Sequence, residues 1–265
     1  MRPVLLFRNQ PWVDPDERAA AKASPLKVIA YRTQVEPDDL VIGRYSILPY
    51  PDEVEAEVIL RGGELINPTK AHRYVADVTR YAQDLEGLTP RSWNNWGNLP
   101  EGAYIVKGKT NSKKWHWKDR MFAETRGDVP RIVASLLDDA EIADQGLVVR
   151  EYVPLVTYMI GLNGLPITNE WRFFVLHGKI LIGGYYWANE PDAYPGDVLS
   201  PPAEAIEFVK QVILRMANVV PFYVVDVAEK RDGGWICIEL NDGPQSGLSC
   251  IPPDAFYKAL ADRFV

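Results

Sequence analysis

The sequence has few cysteines, no long hydrophobic run and no excess of basic residues. Its two cysteines, Cys237 and Cys250, are too few for a disulfide framework or a zinc site. No segment approaches the roughly 18 apolar residues that a membrane-spanning helix needs. The apolar run near the N-terminus is too short for a signal peptide. These absences exclude a disulfide-rich secreted domain and a membrane span, and they lead us to expect a cytoplasmic protein.

The charge balance is acidic, with 29 basic and 36 acidic residues and a formal net charge of −7. Because duplex nucleic-acid binders normally carry a basic excess, this balance disfavours that class. Residues 107–120, KGKTNSKKWHWKDR, depart from the average by combining many basic side chains with two tryptophans. Such a segment suits single-stranded nucleic acid, the phosphates of a nucleotide, or an ordinary solvated loop. Composition alone leaves these three interpretations open.

Strand and helix signals alternate through the first hundred residues. Strands are predicted at 4–7, 27–31, 40–43 and 64–67, and helices at 14–23, 51–61 and 68–85. This alternation predicts a largely parallel sheet. The turn-rich stretch 88–102 is predicted to be a linker. We therefore expect a small N-terminal α/β domain over residues 1–98.

The rest of the chain shows a different, antiparallel α+β pattern. Strands are predicted at 103–109, 120–125 and 146–155, and helices at 128–139 and 203–218. One hairpin is predicted over 169–187, with its turn at His177-Gly178, and a second over 222–241. Asp254 is predicted to cap a last helix that runs to Phe264. We expect residues 99–265 to form a second domain.

The second hairpin carries a group of oxygen-bearing side chains. Asp232-Gly233 is a strong two-residue turn signal, which would place Asp226 opposite Glu239 with Asn241 on the same face. Two adjacent carboxylates repel each other unless a cation compensates, and two carboxylates with an amide suit Mg²⁺. The spacing predicts a metal site. A solvated hairpin face, or a register slip of one residue, remains the alternative.

Five elements in order resemble the ATP-grasp superfamily. They are the strand YIVKG, the basic loop, a strand ending in REYVPL, the hairpin NEWRFFVLHGKIL, and the pair VVDVA and IELNDGPQSGL. The resemblance covers about residues 100–265 and is closest to the small phage and bacterial clade named for two arginines and a lysine. The upstream stretches VIGRYSILPY and ELINPT also resemble that clade. It implies an ATP-grasp fold, of mixed α/β and α+β class, with a pre-ATP-grasp-like N-terminal α/β domain.

The resemblance also implies roles for individual residues. Lys107 and Arg172 would be catalytic, and Asp226, Glu239 and Asn241 would hold Mg²⁺. A lysine of the basic loop, at 113, 114 or 118, would close over the phosphates, and a hinge near 150–156 would bind the adenine edge. Arg44 and Arg150 are weaker candidates for substrate or phosphate contacts. The implied nucleotide-binding residues are Lys107, Lys118, Arg150, Glu151, Tyr152, Val153 and Arg172.

The implied chemistry is ligation with ATP and Mg²⁺ as cofactors. Phosphorylation would convert a carboxylate into an acyl phosphate, which an amine or thiol attacks with release of ADP and phosphate. The expected partners are ATP, a carboxylate substrate and an amine-type acceptor that is a small molecule, a peptide or a protein. The basic loop lacks the glycines frequent in relatives, and Gly183–Trp187 ends the arginine hairpin where many carry another arginine. Both departures concern the substrate more than the nucleotide.

Two other functions are compatible with parts of the sequence. One is a nucleotide-responsive binding protein without turnover, against which the complete set of Asp226, Glu239 and Asn241 argues. The other is single-stranded nucleic-acid binding through residues 107–120, which the net charge disfavours. Lys230, Asp232 and Gly233 also resemble the lysine motif of covalent nucleotidyltransferases, but a hairpin turn already accounts for Asp-Gly.

Overall fold

A computed structural model describes residues 1–7, 14–47, 50–196, 200–216 and 219–264. The N-terminal part contains a four-stranded sheet with the order β2-β1-β3-β4. Every pairing in it is parallel, which confirms the expected sheet type. The strands are β1 (Arg2–Leu6), β2 (Lys27–Ile29), β3 (Asp39–Gly43) and β4 (Glu64–Leu65).

The helices of this part follow their capping residues. In α1 (Pro15–Ala23), the Asp14 side chain accepts a hydrogen bond from the backbone N–H of Asp16 at 2.9 Å. Proline also begins α2 (Pro51–Leu60), where its missing N–H costs nothing. The continuous helix predicted over 68–85 is wrong. It is divided into α3 (Thr69–Ala76) and α4 (Val78–Tyr81), because Asp77 is non-helical and its carboxylate caps the second piece.

A second sheet, β5-β8-β6-β7, is antiparallel throughout. Its apolar side packs against the helix Val129–Leu137 (α6), whose Val129, Ile132, Val133 and Leu136 are buried. The predicted linker 88–102 contributes an edge strand, because Ser92 pairs with Arg150. The elements are β5 (Ser92–Trp93), β6 (Tyr104–Gly108), α5 (Trp117–Arg120), β7 (Phe122–Ala123), α6 (Val129–Leu137), α7 (Ala140–Ala143) and β8 (Leu147–Glu151).

A third sheet, β12-β11-β13-β14, is also antiparallel. The turn at His177-Gly178 is confirmed, with φ values of 47° and 70°. Asp254 does not cap the last helix; it lies in the first turn, and Pro252 precedes the helix. The predicted end of α8 at residue 218 lies outside the described residues. The elements are β11 (Glu170–Leu176), β12 (Lys179–Tyr185), α8 (Ala203–Met216), β13 (Phe222–Glu229), β14 (Trp235–Asp242) and α9 (Pro253–Ala261).

A short hairpin, β9 (Thr157–Ile160) and β10 (Pro166–Thr168), lies between the second and third sheets in the chain. The sequence prediction missed it. Its turn contains Asn163 and Gly164, which both have positive φ, as tight hairpin turns require.

Period-2 alternation on β11 separates the core from the site. Trp171 and Phe173 are buried in a core cluster that includes residues of α8. On the other face, Glu170 and Arg172 lie towards one end of the strand, whereas Phe174 and Leu176 lie towards the other. This second apolar pair belongs to a cluster that joins the third sheet to the N-terminal sheet and to α9. The polar end of that face is therefore the part left for a functional site.

Among the described residues, no helix has the length and apolar character that crossing a bilayer requires.

Candidate active site

A cleft lies between the second and third sheets and contains about 710 Å³ of empty space, part of it open to solvent. Its apolar walls are formed mainly by Ile105, Trp117, Met121, Leu155, Leu165 and Ile238. Its charged groups are Lys107, Lys114, Arg150, Glu151, Glu170 and Glu239. The cleft can thus hold a flat apolar group at one place and an anion at another.

The carboxylate hairpin has the predicted pairing but not the predicted loop. Asp226 lies opposite Glu239, and Val224 lies opposite Asn241. The turn itself is one residue longer than expected, since the Lys230 N–H donates to the Gly234 carbonyl. A bulge between Cys237 and Glu239 inserts Ile238 into β14 and restores the register. The three oxygen-bearing side chains therefore share one face of the sheet.

Arg172 pairs with Asp226 across the neighbouring strands β11 and β13. Its Nε and Nη2 donate to the two carboxylate oxygens of Asp226, both at 2.8 Å, and Nη1 donates to the Gly247 carbonyl at 2.9 Å. Burial opposes the charge, but Asp226 outweighs it and the pKa of Arg172 is raised. The Asn241 side-chain amide also donates to Asp226, at 3.3 Å. This fork-shaped pair fixes the orientation of the Asp226 carboxylate, which lies opposite the cleft residue Glu239.

Buried Lys107 forms an ion pair with the partly buried Glu239, with 3.3 Å between Nζ and Oε2. Burial is the largest influence on each group. It lowers the pKa of Lys107, and the nearby cations Arg150 and Lys114 lower it further, while Glu239 opposes the change. For Glu239, burial raises the pKa, but the surrounding cations, Lys107 first, reduce it to about 2. Glu239 is therefore ionised at neutral pH.

Lys114 is the lysine of the basic loop that reaches the cleft. Its Nζ donates to the Tyr186 hydroxyl at 2.7 Å and lies 4.2 Å from the centre of that ring. Burial opposes its charge, but Tyr186, Glu170 and Glu239 raise its pKa above the ordinary value. Tyr186 also lies under the Arg172 guanidinium, at 4.9 Å. No sequence pattern singled out Lys114 from its neighbours.

The other two loop lysines lie elsewhere. Lys118 is exposed, and its side-chain carbons pass over Gly164 of the β9–β10 turn, outside the residues that line the cleft. Lys113 pairs with Asp139 at 3.0 Å. Trp117, by contrast, stacks on Phe122 and lines the cleft. The loop thus directs one cation and one aromatic ring inward.

Glu170 is a cleft residue that the sequence analysis missed. It is 3% exposed, its Oε2 accepts a hydrogen bond from the Thr168 hydroxyl, and its Oε1 has no partner among the described residues. Burial raises its pKa to about 7, although Lys114 acts in the opposite direction. The sequence could have indicated this position, because Glu170 lies two residues before Arg172 on an otherwise apolar strand and therefore shares its face.

The predicted hinge residues Glu151, Tyr152 and Val153 all line the cleft. Glu151 is held from outside by Arg91, whose Nε and Nη2 donate to its carboxylate at 3.0 and 3.1 Å. The backbone N–H groups of Glu151 and Tyr152 already donate to the carbonyls of Arg91 and Ala103.

Arg44 and Arg150 are both buried and bonded to protein carbonyls. Arg44 donates to the carbonyls of Gly243, Pro244 and Ser246 and pairs with Glu17. It therefore fixes the loop that follows Asn241. Arg150 donates to the Ile238 carbonyl and to the hydroxyls of Thr89 and Ser92.

The donor set around Asp226 fits Mg²⁺ by its chemistry. Two carboxylates and a carboxamide on adjacent strand positions offer hard oxygen ligands, which this ion prefers. Both oxygens of Asp226 accept from Arg172, and Oδ2 also accepts from Asn241, so Oδ1 is the oxygen that keeps a second lone pair for a metal ion. Lys107 contacts Oε2 of Glu239.

Comparison with known proteins identifies the fold family. A family description of the ATP-grasp domain, R2K clade family 3, matches residues 94–260. The chain belongs to this ATP-grasp family. The ATP-grasp fold expected from the sequence is thereby confirmed. No curated protein matches the chain by sequence similarity.

Solved ATP-grasp structures share the whole fold. D-cycloserine synthetase aligns with a TM-score of 0.60 and 16% identity over 100% of both chains. A RimK-domain ATP-grasp protein from Sphaerobacter thermophilus gives a TM-score of 0.62 with 14% identity over 99% of both chains. D-alanine–D-alanine ligase from Bacillus anthracis, complexed with ATP, gives 0.61 with 15% identity over 100% of this chain and 96% of the other. At these identities the similarity concerns the fold.

Proposed function

We propose that this protein is an ATP-dependent ligase that joins a carboxylate to an amine or similar nucleophile through an acyl phosphate. The observation that carries the proposal is one connected group of charges: Lys107, Lys114 and Glu239 line the cleft, and the Arg172–Asp226 pair lies beside them. Phosphoryl transfer depends mainly on positioning and on neutralising the phosphates, which these groups supply without a covalent nucleophile.

The nucleotide would lie with its base in the apolar part of the cleft. Because the N–H groups of Glu151 and Tyr152 are already bonded, we propose that Val153 supplies the backbone donor to the adenine edge. The unpartnered Oε1 of Glu170 would accept a hydrogen bond from a ribose hydroxyl. Lys107 and Lys114 would contact the phosphates.

Asp226, Glu239 and Asn241 would hold Mg²⁺, which supplies charge neutralisation at the phosphates when bound. Arg172 keeps Asp226 oriented and would face the acyl phosphate. A second cavity, between α1 and the loop that follows Asn241, includes Asp16, Arg44 and Gly247. We propose that the substrates enter on this side, where the N-terminal domain meets the loop that follows Asn241.

The first test is thermal stabilisation by ATP and ADP, with and without Mg²⁺. A ligand at 100 times its dissociation constant adds about 2.7 kcal/mol of stability, which is several degrees for a chain of this size. We expect the Mg²⁺-dependent part of the shift to disappear in Glu239→Gln. Absence of any shift with adenine nucleotides would refute the ATP site.

The second test is the identity of the products. Candidate carboxylates and amines are screened in pairs for release of ADP and phosphate, with Glu239→Gln as the inactive control. Formation of AMP and pyrophosphate instead would contradict the acyl-phosphate mechanism, because that route transfers only the terminal phosphoryl group.

A further inference from the structure

We infer that Arg150 is a positioning residue that holds the bulge of β14, and through it the Glu239 carboxylate, in place at the wall of the cleft. This inference rests on the proposed function, since it assigns Glu239 to the metal. It gives Arg150 a different role from the direct phosphate or substrate contact that the family resemblance implies.

The guanidinium of Arg150 is bonded within the protein at all three nitrogens. Nη1 donates to the Ile238 carbonyl, Nη2 donates to Thr89 Oγ1 at 2.8 Å, and Nε donates to Ser92 Oγ at 3.2 Å. The residue is 5% exposed. A guanidinium held at three points presents a fixed geometry that a lysine cannot reproduce.

The bulge needs such a partner. Ile238 is the extra residue of β14, which is the outer strand of its sheet, so its carbonyl lies outside the regular ladder. A buried backbone carbonyl without a partner would cost free energy comparable to a lost hydrogen bond. Arg150 supplies that hydrogen bond, with a charged donor.

Residues outside the sheet bond the same stretch of β14 on both sides of the bulge. The Cys237 N–H donates to the Leu88 carbonyl at 2.8 Å, and the Cys237 carbonyl accepts from Thr89 Oγ1 at 2.8 Å. Beyond the bulge, the Leu240 N–H donates to the Tyr81 hydroxyl at 3.1 Å. Thr89 connects Arg150 to the Cys237 side of the bulge, because its hydroxyl donates to the Cys237 carbonyl and accepts from Arg150.

The position of Arg150 in the chain gives the contact its consequence. Arg150 belongs to β8 and immediately precedes Glu151 of the hinge, while Glu239 immediately follows the bulged residue. One side chain thus joins the hinge strand of one lobe to the metal-ligand strand of the other. Partners that orient metal ligands commonly change metal affinity by about 10–100-fold when they are removed.

The test compares Arg150→Met and Arg150→Lys with Ser92→Ala, which removes only the weaker Nε contact. Thermal stabilisation is measured with ATP alone and with ATP while Mg²⁺ is titrated. For both arginine variants we expect at least about 10-fold more Mg²⁺ at half-maximal stabilisation. We also expect the response to metal-free ATP to stay within about twofold, and Ser92→Ala to match the wild type.

Three outcomes would overturn the inference. An equal loss of response to ATP with and without metal would make Arg150 a direct nucleotide ligand. An unchanged Mg²⁺ requirement in Arg150→Met would remove its role altogether. A wild-type response in Arg150→Lys would show that charge, rather than the geometry of the fork, is what matters.

Hydrogen exchange provides a readout that needs no nucleotide. In the ligand-free protein we expect the Cys237 and Leu240 amides to exchange at least about 10-fold faster in Arg150→Met than in the wild type; equal rates would overturn the inference. If Arg150→Met does not fold, Thr89→Val removes the connecting hydroxyl and is read by the same two measurements. A wild-type protein that ignores ATP refutes the proposed function, whereas a responsive wild type with unchanged variants refutes only the role of Arg150.

Discussion

The two walls of the cleft differ in charge. The second sheet and the basic loop provide Lys107, Lys114 and Arg150, together with Glu151, whose carboxylate is held from outside by Arg91. The third sheet provides Glu170 and Glu239, with the Arg172–Asp226 pair beside them. The Lys107–Glu239 pair connects the two walls directly. The difference suggests how a nucleotide would be divided between them: phosphates would bind the cationic wall, and a metal ion would bind the acidic one. Each ligand would replace part of an existing ion pair.

Removing the cation of the Lys107–Glu239 pair should have the largest effect. In Lys107→Met, we expect ATP affinity to fall about 100-fold, or about 2.7 kcal/mol, because a buried charged contact to the phosphates is lost. Titration calorimetry checks this result. Glu239 keeps other cations nearby, so the variant should remain folded. A loss below threefold would mean that the phosphates bind elsewhere.

Glu170 should make stability depend on pH. Its folded pKa is raised to about 7, so the folded state binds the proton more tightly than the unfolded state does. The stabilising proton is fully present below the ordinary glutamate pKa and is lost as pH rises through 7. Relative to Glu170→Gln, the wild type should lose about 2 kcal/mol between pH 5 and pH 8. Denaturant melts at both pH values measure this, and parallel curves for the two proteins would contradict it.

Lys114→Met should weaken ATP binding about 10-fold, or about 1.4 kcal/mol. The effect should be smaller than for Lys107, since Lys114 lies on a loop and is partly occupied by Tyr186. Tyr186→Phe is the matched variant that removes the hydroxyl partner and keeps the ring. If Tyr186→Phe equals Lys114→Met, the hydroxyl rather than the lysine would be the group that matters.

Lys118→Met should have the smallest effect, below about twofold in ATP affinity. Its side chain is exposed and lies over Gly164 instead of the cleft. Because Lys114→Met and Lys118→Met each remove one positive charge, comparing their ATP affinities separates the effect of the lysine's position from the effect of net charge. A larger loss for Lys118 would show that the loop rearranges when nucleotide binds, as the family resemblance implies for a closing loop.

The sequence predicted the regular parts of the site better than the irregular ones. Local alternation and the Asp-Gly signal were enough to pair Asp226 with Glu239. The turn is one residue longer than predicted and β14 contains a one-residue bulge, and these two differences cancel, so the predicted pairing is kept. The bulge has no residue signal of its own, since any side chain can occupy the position that Ile238 fills. The longer turn does have one, because Gly233 and Gly234 follow each other and both take positive φ. The pairing was therefore correct for a partly wrong reason.

Other errors have identifiable causes. The β9–β10 hairpin was missed although Asn163-Gly164 is a turn signal, because strands of four and three residues show little alternation. The helix break at Asp77 was missed because apolar spacing continues through it. Choosing Lys114 over its neighbours needs tertiary contacts with Tyr186, from a distant hairpin, which no local pattern contains.

The apolar cluster shared by the N-terminal sheet and the third sheet has a consequence for evolutionary exchange of domains. Leu5, Phe7 and Ile42 pack in one cluster with Phe174 and Phe222. The segment matched by the family description, 94–260, therefore contains only part of that cluster. A recombinant protein that received its first ninety or so residues from a relative would contain one part of this cluster without the side chains that normally pack against it. We expect such chimaeras to fold only when matching substitutions at Phe174 and Phe222 accompany the exchange. The segment that the family description matches is therefore not the same as the segment that folds as a unit.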